Sequence, residues 1–274
     1  MIGLNLQIYI KSNNFERKDF MRYNEQVLDF LLFSYFGIDI KMIEEQTSEK
    51  VIMENCIKRA YLDMCRTISF RTDEHVGFVE SVTDLIIDGI TELSSKIEKI
   101  NFDKWHSTIC DEMIKKANEK DCKEFSYGQA QKWLNMTFKY MWLLGIGESF
   151  MRKIGKQLHV PIDNYILGFL FCLCANDKFG SNGQIKLNHN SRTNIGIEVL
   201  ESCYSPFSIH KDGESYEIIS NGIKYRWSRI PDKNLYISVQ KVLKIALNTR
   251  YSEDAGNPLY QENKAWLDYA KSHK

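Results

Sequence analysis

The sequence predicts a mainly α protein: a helical bundle of two packed helical parts, with a small β insert near the C-terminal third. Three observations carry this expectation. Apolar residues recur at helical spacing through most of the chain. Helix breakers are few, with 4 Pro and 15 Gly in 274 residues. The turn dipeptides Asp212-Gly213 and Asn221-Gly222 fall late, inside a stretch that alternates weakly. With 43% apolar and 12% aromatic residues, the chain can bury a substantial core.

The elements follow in order. Phe20, Tyr23, Val27, Phe30 and Leu31 mark an amphipathic helix over 15–36. A second spans 47–70, with Val51, Ile57, Ala60, Tyr61, Met64 and Ile68 on its apolar face and Thr47 or Ser48 as its cap. A third spans 74–100, capped by Thr72 or Asp73, with Val79, Val82, Leu85 and Ile86. The fourth, 102–119, presents Trp105, Ile109 and Met113. The fifth covers 126–144 and the sixth 163–175. Pro161 biases His159 and Val160 toward extended backbone and ends any preceding helix. Asp163 then stands at the N-cap position, ahead of Tyr165, Ile166, Phe169 and Leu170. The helix of 126–144 is expected to pack beside the one that Asp163 caps. Residues 176–196, rich in Asn, Gly and Ser, read as a long loop. Residues 203–228 read as a hairpin or three-stranded insert, and 233–248 and 258–272 return to helix. The chain is thus read as a single compact unit, 1–274. It comprises a helical part (1–100), a core (101–175), and a loop, β insert and C-terminal helices (176–274).

Lys and Arg total 36 and so do Asp and Glu, so formal net charge is zero. The distribution is uneven. Residues 1–114 hold 13 basic and 20 acidic side chains, a balance of −7. Residues 115–250 hold 20 and 12, a balance of +8, which suits a phosphate-facing surface. No apolar run approaches the roughly 20 residues that span a bilayer. The opening MIGLNLQIYIKSNN lacks a charged n-region and a cleavage-like site, and reads as part of the mature protein. An odd set of 7 scattered cysteines suits a reducing cytoplasm. No CxxC, HExxH, Walker A loop, GxGxxG or GxSxG is present. Cys172-Leu-Cys174 points two thiols apart on a helix, and no metal site is expected.

The most informative stretches are YGQAQKWLNMTFKYMWLL (127–144) and HVPIDNYIL (159–167). A lysine-bearing helix followed by a Pro-x-Asp helix start resembles the helix-hairpin-helix DNA glycosylases. MTFKYM (136–141) before VPID (160–163) is most similar to the archaeal 8-oxoguanine glycosylase branch. The resemblance covers roughly residues 100–175. It implies that Asp163 takes the catalytic Asp position and Lys139 the Schiff-base Lys position, with Lys132, in GQAQKWLN, competing for that role. It also implies a cofactor-free site; the four-Cys loop that holds an iron–sulfur cluster in some glycosylases is absent.

The chemistry asks for such residues. Cleavage of an N-glycosidic bond passes through an oxocarbenium-like state, which a fixed carboxylate stabilises. A lysine attacks C1′ only as the free amine. A flipped base needs aromatic faces and amides. Gln129, Gln131, Trp133, Asn135 and Trp142 stand near the lysines, and His159 stands beside Pro161 to meet phosphate or base. In KYRWSRI (224–230), Arg226, Trp227 and Arg229 interleave charge with a ring, as backbone contact and stacking require. The expectation is a monomeric, cytoplasmic DNA glycosylase, with DNA as partner and no membrane. It would excise an oxidised purine or a hypermodified phage base, the latter in anti-phage defence. The competing expectation is a non-catalytic helical nucleic-acid-binding or defence-complex protein.

Overall fold

The computed structural model describes residues 16–44, 49–68, 77–96, 101–175, 185–191, 194–199, 206–251 and 257–272. Thr47, Ser48, Thr72, Asp73 and Cys203, and the opening 1–14, lie outside them. Among the described residues the chain forms ten α-helices. They are α1 (Glu16–Phe36), α2 (Ile40–Glu44), α3 (Glu49–Cys65), α4 (Phe78–Ser95), α5 (Phe102–Glu119), α6 (Tyr127–Leu144), α7 (Glu148–Ile154), α8 (Asn164–Ala175), α9 (Lys233–Arg250) and α10 (Pro258–Ser272). Five strands separate α8 from α9: β1 (Ile185–Ser191), β2 (Asn194–Val199), β3 (Phe207–Asp212), β4 (Ser215–Ser220) and β5 (Ile223–Arg226). The class is mainly α, as the periodicity predicts.

The sheet is larger than the sequence suggests. It is an antiparallel meander in the order β1-β2-β3-β4-β5. β1 and β2 take up 185–199, most of which reads as loop, and pair from Ile185↔Val199 to Ser191↔Asn194. Asn, His and Gly in these strands hide an alternation of Ile and Leu. The later half matches expectation. Asn221 (φ 52°) and Gly222 (φ 77°) form the two-residue turn between β4 and β5, and both left-handed positions suit their residues. Phe207, Ile209, Tyr216 and Ile218 point inward, and the sheet covers α8 and α9 with that face.

α6 is the axis of the molecule. It is buried along every residue from Tyr127 to Phe138, so it lacks the solvent face of an ordinary amphipathic helix. α3 and α5 flank it. Its start is a capping box: Ser126 Oγ accepts from Gln129 N at 3.2 Å, and Gln129 Oε1 accepts from Ser126 N at 3.0 Å. Its end is Gly145 in the left-handed region (φ 72°), where Ile146 N closes back on Met141 O. α1 is fastened to this core by Tyr35, whose hydroxyl meets Tyr140 OH at 2.9 Å while the Arg59 guanidinium lies 3.7 Å above its ring. The buried apolar residues from Ile38 to Ala265 form one continuous cluster.

Three boundaries differ from expectation. α4 begins at Phe78 after Gly77 (φ 81°), later than a start at 74. α7 is an extra short helix in the link between α6 and the Pro161 corner. α8 has α10 and β4 as its principal neighbours, and α6 meets it chiefly at its first turn. The small Gly168 permits that packing, since a Cβ there would stand 2.4 Å from Tyr269 Cζ.

Candidate active site

Lys132 and Lys139 are seven residues apart on α6 and so share one side of it. Each meets a carboxylate. Lys132 Nζ lies 2.8 Å from Asp163 Oδ2, with the two side chains 8% and 17% exposed. Lys139 Nζ lies 2.6 Å from Glu262 Oε2, at 12% and 1% exposure. Asp163 does two things at once. Its Oδ1 accepts from Ile166 N at 3.0 Å and caps α8, while Oδ2 holds Lys132. The cap predicted from the Pro161 punctuation is thus present, with its second oxygen turned to α6.

Glu262 comes from α10, far along the chain. Burial pushes its carboxyl upward, Lys139 draws it back, and the charges of Asp163 and Lys132 act on it as well. The four groups therefore form one electrostatic unit of two cations and two anions. Such a neutral array does not attract phosphate by itself, and it suits a centre where charge develops during reaction.

Trp227 stands beside the array, its ring centroid 5.8 Å from Lys132 Nζ. The short turn Trp227–Arg229 after β5 docks on the first turn of α6, where Gly128 N donates to Ile230 O at 3.1 Å and Ser126 Oγ donates to Ser228 O at 2.5 Å. Gly128 is indispensable to this approach, because a Cβ there would sit 2.1 Å from Trp227 O. Half-buried Trp227 keeps a face near solvent. On α10, Trp266 follows Glu262 by one turn and packs on Tyr165 at 4.7 Å.

The corner before Asp163 is held by a buried polar network. His159 Nε2 lies 2.8 Å from Asp103 Oδ1 and His159 Nδ1 lies 2.8 Å from Tyr236 OH. The His159 hydrogen bond holds Asp103 down to about 2, so its carboxylate is ionised and can only accept. The His159 proton is therefore on Nε2, and Tyr236 OH donates to Nδ1. Tyr236 in turn accepts from Asn135 Nδ2 at 2.9 Å. Asn135 Oδ1 lies 2.8 Å from His106 Nε2, and Gln131 Oε1 accepts from Asn135 Nδ2 at 2.9 Å. Burial holds His159 down to about 4 and His106 well below its ordinary value, so both rings are neutral.

Several residues expected to read a base are core residues instead. Trp133 is fully enclosed and donates Nε1 to Ile57 O at 3.0 Å. Gln129 completes the capping box and donates to Thr67 O at 2.8 Å. Gln131 donates to Gly128 O at 2.8 Å, and Asn135 belongs to the network. His159 is buried in that network and offers no face to phosphate. The physical reason is common to all: α6 is buried on every side, so its amides must bond inside the protein. Trp142 is half-buried and packs edge-on against Tyr260 at 6.1 Å. Arg226 is exposed at the end of β5. Arg229, exposed as well, reaches Glu124 Oε2 at 3.5 Å. The lysines, Asp163 and Trp227 are brought together; Arg226 and Arg229 flank Trp227 in sequence and remain at the surface.

No protein-family model, curated protein or solved structure matches the chain.

Among the described residues no helix is long and apolar enough to cross a membrane, and no three His, Cys, Asp or Glu side chains gather as a metal-holding group. The six cysteines described are free.

Glu262, Tyr236, Gln240 and His106 escape the sequence reading, yet a signal for them exists. Glu262 follows Leu259 by three and precedes Ala265 by three, so a carboxylate sits on the apolar face of α10. Gln240 likewise interrupts the stripe of Leu235, Tyr236, Val239 and Leu243 on α9. A polar side chain on a buried stripe must find a partner, and its partner is the site.

Proposed function

We propose that the chain is a DNA N-glycosylase that removes a modified base, with Asp163 stabilising the sugar cation and Lys132 as the reactive lysine. The observation that carries this reading is the Asp163–Lys132 pair, formed across two elements, largely withdrawn from solvent and neighboured by Trp227. When the N-glycosidic bond breaks, its electron pair leaves with the base and C1′ becomes cationic. A carboxylate fixed by its own helix cap stabilises that charge without reorganising. Water can then attack C1′. Alternatively the Lys132 amine attacks after passing its proton to Asp163 Oδ2, the acceptor in reach at 2.8 Å. Lys139, bound to Glu262, keeps its charge close by without contacting Asp163 Oδ2 in this way. An oxidised purine and a hypermodified phage base are the two candidate leaving groups, and repair or anti-phage defence the corresponding settings in the cytoplasm.

One observation favours a second reading, a non-catalytic helical nucleic-acid-binding protein. Gln129, Gln131, Trp133 and Asn135 are all engaged inside the core, so the base-reading set must come from elsewhere.

The test uses duplexes carrying oxidised purines or hypermodified phage bases, followed by alkali to reveal abasic sites. Asp163→Asn keeps a capping oxygen but removes the charge. Excision should fall on the order of 100-fold or more while DNA binding survives. Borohydride-trapped complexes should vanish in Lys132→Ala and persist in Lys139→Ala. Unchanged excision by Asp163→Asn, on a duplex the wild type cleaves, refutes the mechanism.

A further inference from the structure

The corner Val160-Pro161-Ile162-Asp163 is held from outside its own element by a clamp on α9. Gln240, 2% exposed, uses both ends of its amide on one residue: Oε1 accepts from Val160 N at 3.0 Å and Nε2 donates to Val160 O at 2.5 Å. This is the bonding that a paired strand would supply, delivered by a side chain. One turn earlier on α9, Tyr236 donates to His159, the residue just before Val160. From the other side α6 sends Asn135 Nδ2 to Val160 O at 3.3 Å and Gln131 Nε2 to Ile162 O at 3.5 Å. Pro161 has no N–H to contribute and its φ is locked. The corner thus has few remaining freedoms, and the Gln240 amide fixes the one residue whose two backbone groups would otherwise be free to turn.

We propose that Gln240 is a positioning residue for Asp163: by gripping Val160 through both backbone groups, it sets the corner so that one Asp163 oxygen caps α8 while the other reaches Lys132. The inference rests on the glycosylase reading for its catalytic consequence but not for its geometry. Asp163 lies three residues beyond the grip, across a rigid Pro-Ile step, so rotation at Val160 swings its carboxylate as a lever. A misplacement of about 1 Å at a reacting group can lower a rate on the order of 100-fold.

The experiment compares the full-length wild type with Gln240→Met, which keeps length and removes both hydrogen bonds. The first readout is amide hydrogen exchange. Val160 should lose protection in any case; the decisive amide is Ile166, whose N–H is capped by Asp163 Oδ1. Faster exchange at Ile166 by about tenfold, with Leu243 unchanged as the control for global opening, supports the proposal. Exchange at Ile166 equal to wild type overturns it. This readout is independent of any activity toward DNA. The second readout is single-turnover excision. The rate constant should fall about 10- to 100-fold with DNA affinity within about twofold. A variant that merely loses folded protein would lose amplitude and keep its rate constant, and that result overturns the proposal. If wild type excises no base while Ile166 responds, the glycosylase reading fails and the positioning stands. Tyr236→Phe, which removes only a hydroxyl, carries the same exchange measurement if Gln240→Met does not fold.

Discussion

Glu262 and Lys139 show how differently a charge reads in sequence and in a folded core. On a sequence strip each is an ordinary member of an amphipathic helix. In the molecule Glu262 is 1% exposed and Lys139 12%, held at 2.6 Å. Two buried ions repay their desolvation only when both are present. Glu262→Ala should therefore destabilise the protein by about 3–5 kcal/mol, because it strands the Lys139 ammonium. The double replacement Lys139→Met, Glu262→Leu should recover most of that loss in a denaturant-unfolding cycle. Equal destabilisation by the single and double variants would show that volume, not charge, matters at this position. The same logic explains why the residue-level expectations divided. Asp163 was legible because Pro161 dictates the backbone around it and an N-cap carboxylate follows from local rules. Gln129 was legible as the fourth residue of a Ser-x-x-Gln box, yet the amide was assigned to base reading when its helix start already claimed it. Trp133 and Asn135 depend on which faces of α6 are covered, and covering elements distant in sequence decide that.

At the scale of elements, helices were legible because their signal is local and repeats every 3.6 residues. α5, α6, α9 and α10 lie within a few residues of their expected bounds. β1 and β2 were not, because a strand's partner lies elsewhere and two Asn-rich segments carry little alternation of their own. The docking of the turn after β5 onto α6 is also invisible locally, since the reason for Gly128 is a carbonyl 99 residues away, at Trp227. That junction gives a sharp test. Gly128→Ala places a methyl where Trp227 O sits at 2.1 Å, so the turn must lift off. The variant should lose about 1–3 kcal/mol, the usual range for overpacking. Trypsin should cut more readily after Arg226 and Arg229, while cleavage elsewhere changes only in proportion to stability. A variant as stable and as resistant as wild type would mean the turn is not seated on the helix.

Across the whole molecule the C-terminal hundred residues complete a core that the earlier helices begin. α9 supplies Gln240 and Tyr236, α10 supplies Glu262, and the sheet ends in Trp227, so the site is assembled from residues 103 to 262. This architecture places two neutral histidines at the centre, and acid should find them. The His159 imidazole has an ordinary value of 6.5 and is held at about 4 in the folded state, chiefly by burial; His106 is depressed further by the same cause and by its neighbour His159. A folded value below the unfolded one means the unfolded chain binds more protons between the two. Stability is therefore full above about 6.5 and falls as pH drops toward 4, at about 1.4 kcal/mol per pH unit for each such histidine. Asp103, held at about 2 against 3.8, adds a loss only below that window. Glu262 acts with opposite sign, since its carboxyl is raised and its contribution declines as pH rises past its unfolded value. The net expectation is a denaturant midpoint that falls steeply from pH 6.5 to 4. Replacing His159 with Asn removes one of the two titrating rings and should make that fall shallower by about one proton, as read from the slope of unfolding free energy against pH. If the slopes of variant and wild type coincide, the ring at 159 is not the neutral, buried group that ties Asp103 to the Asp163 corner.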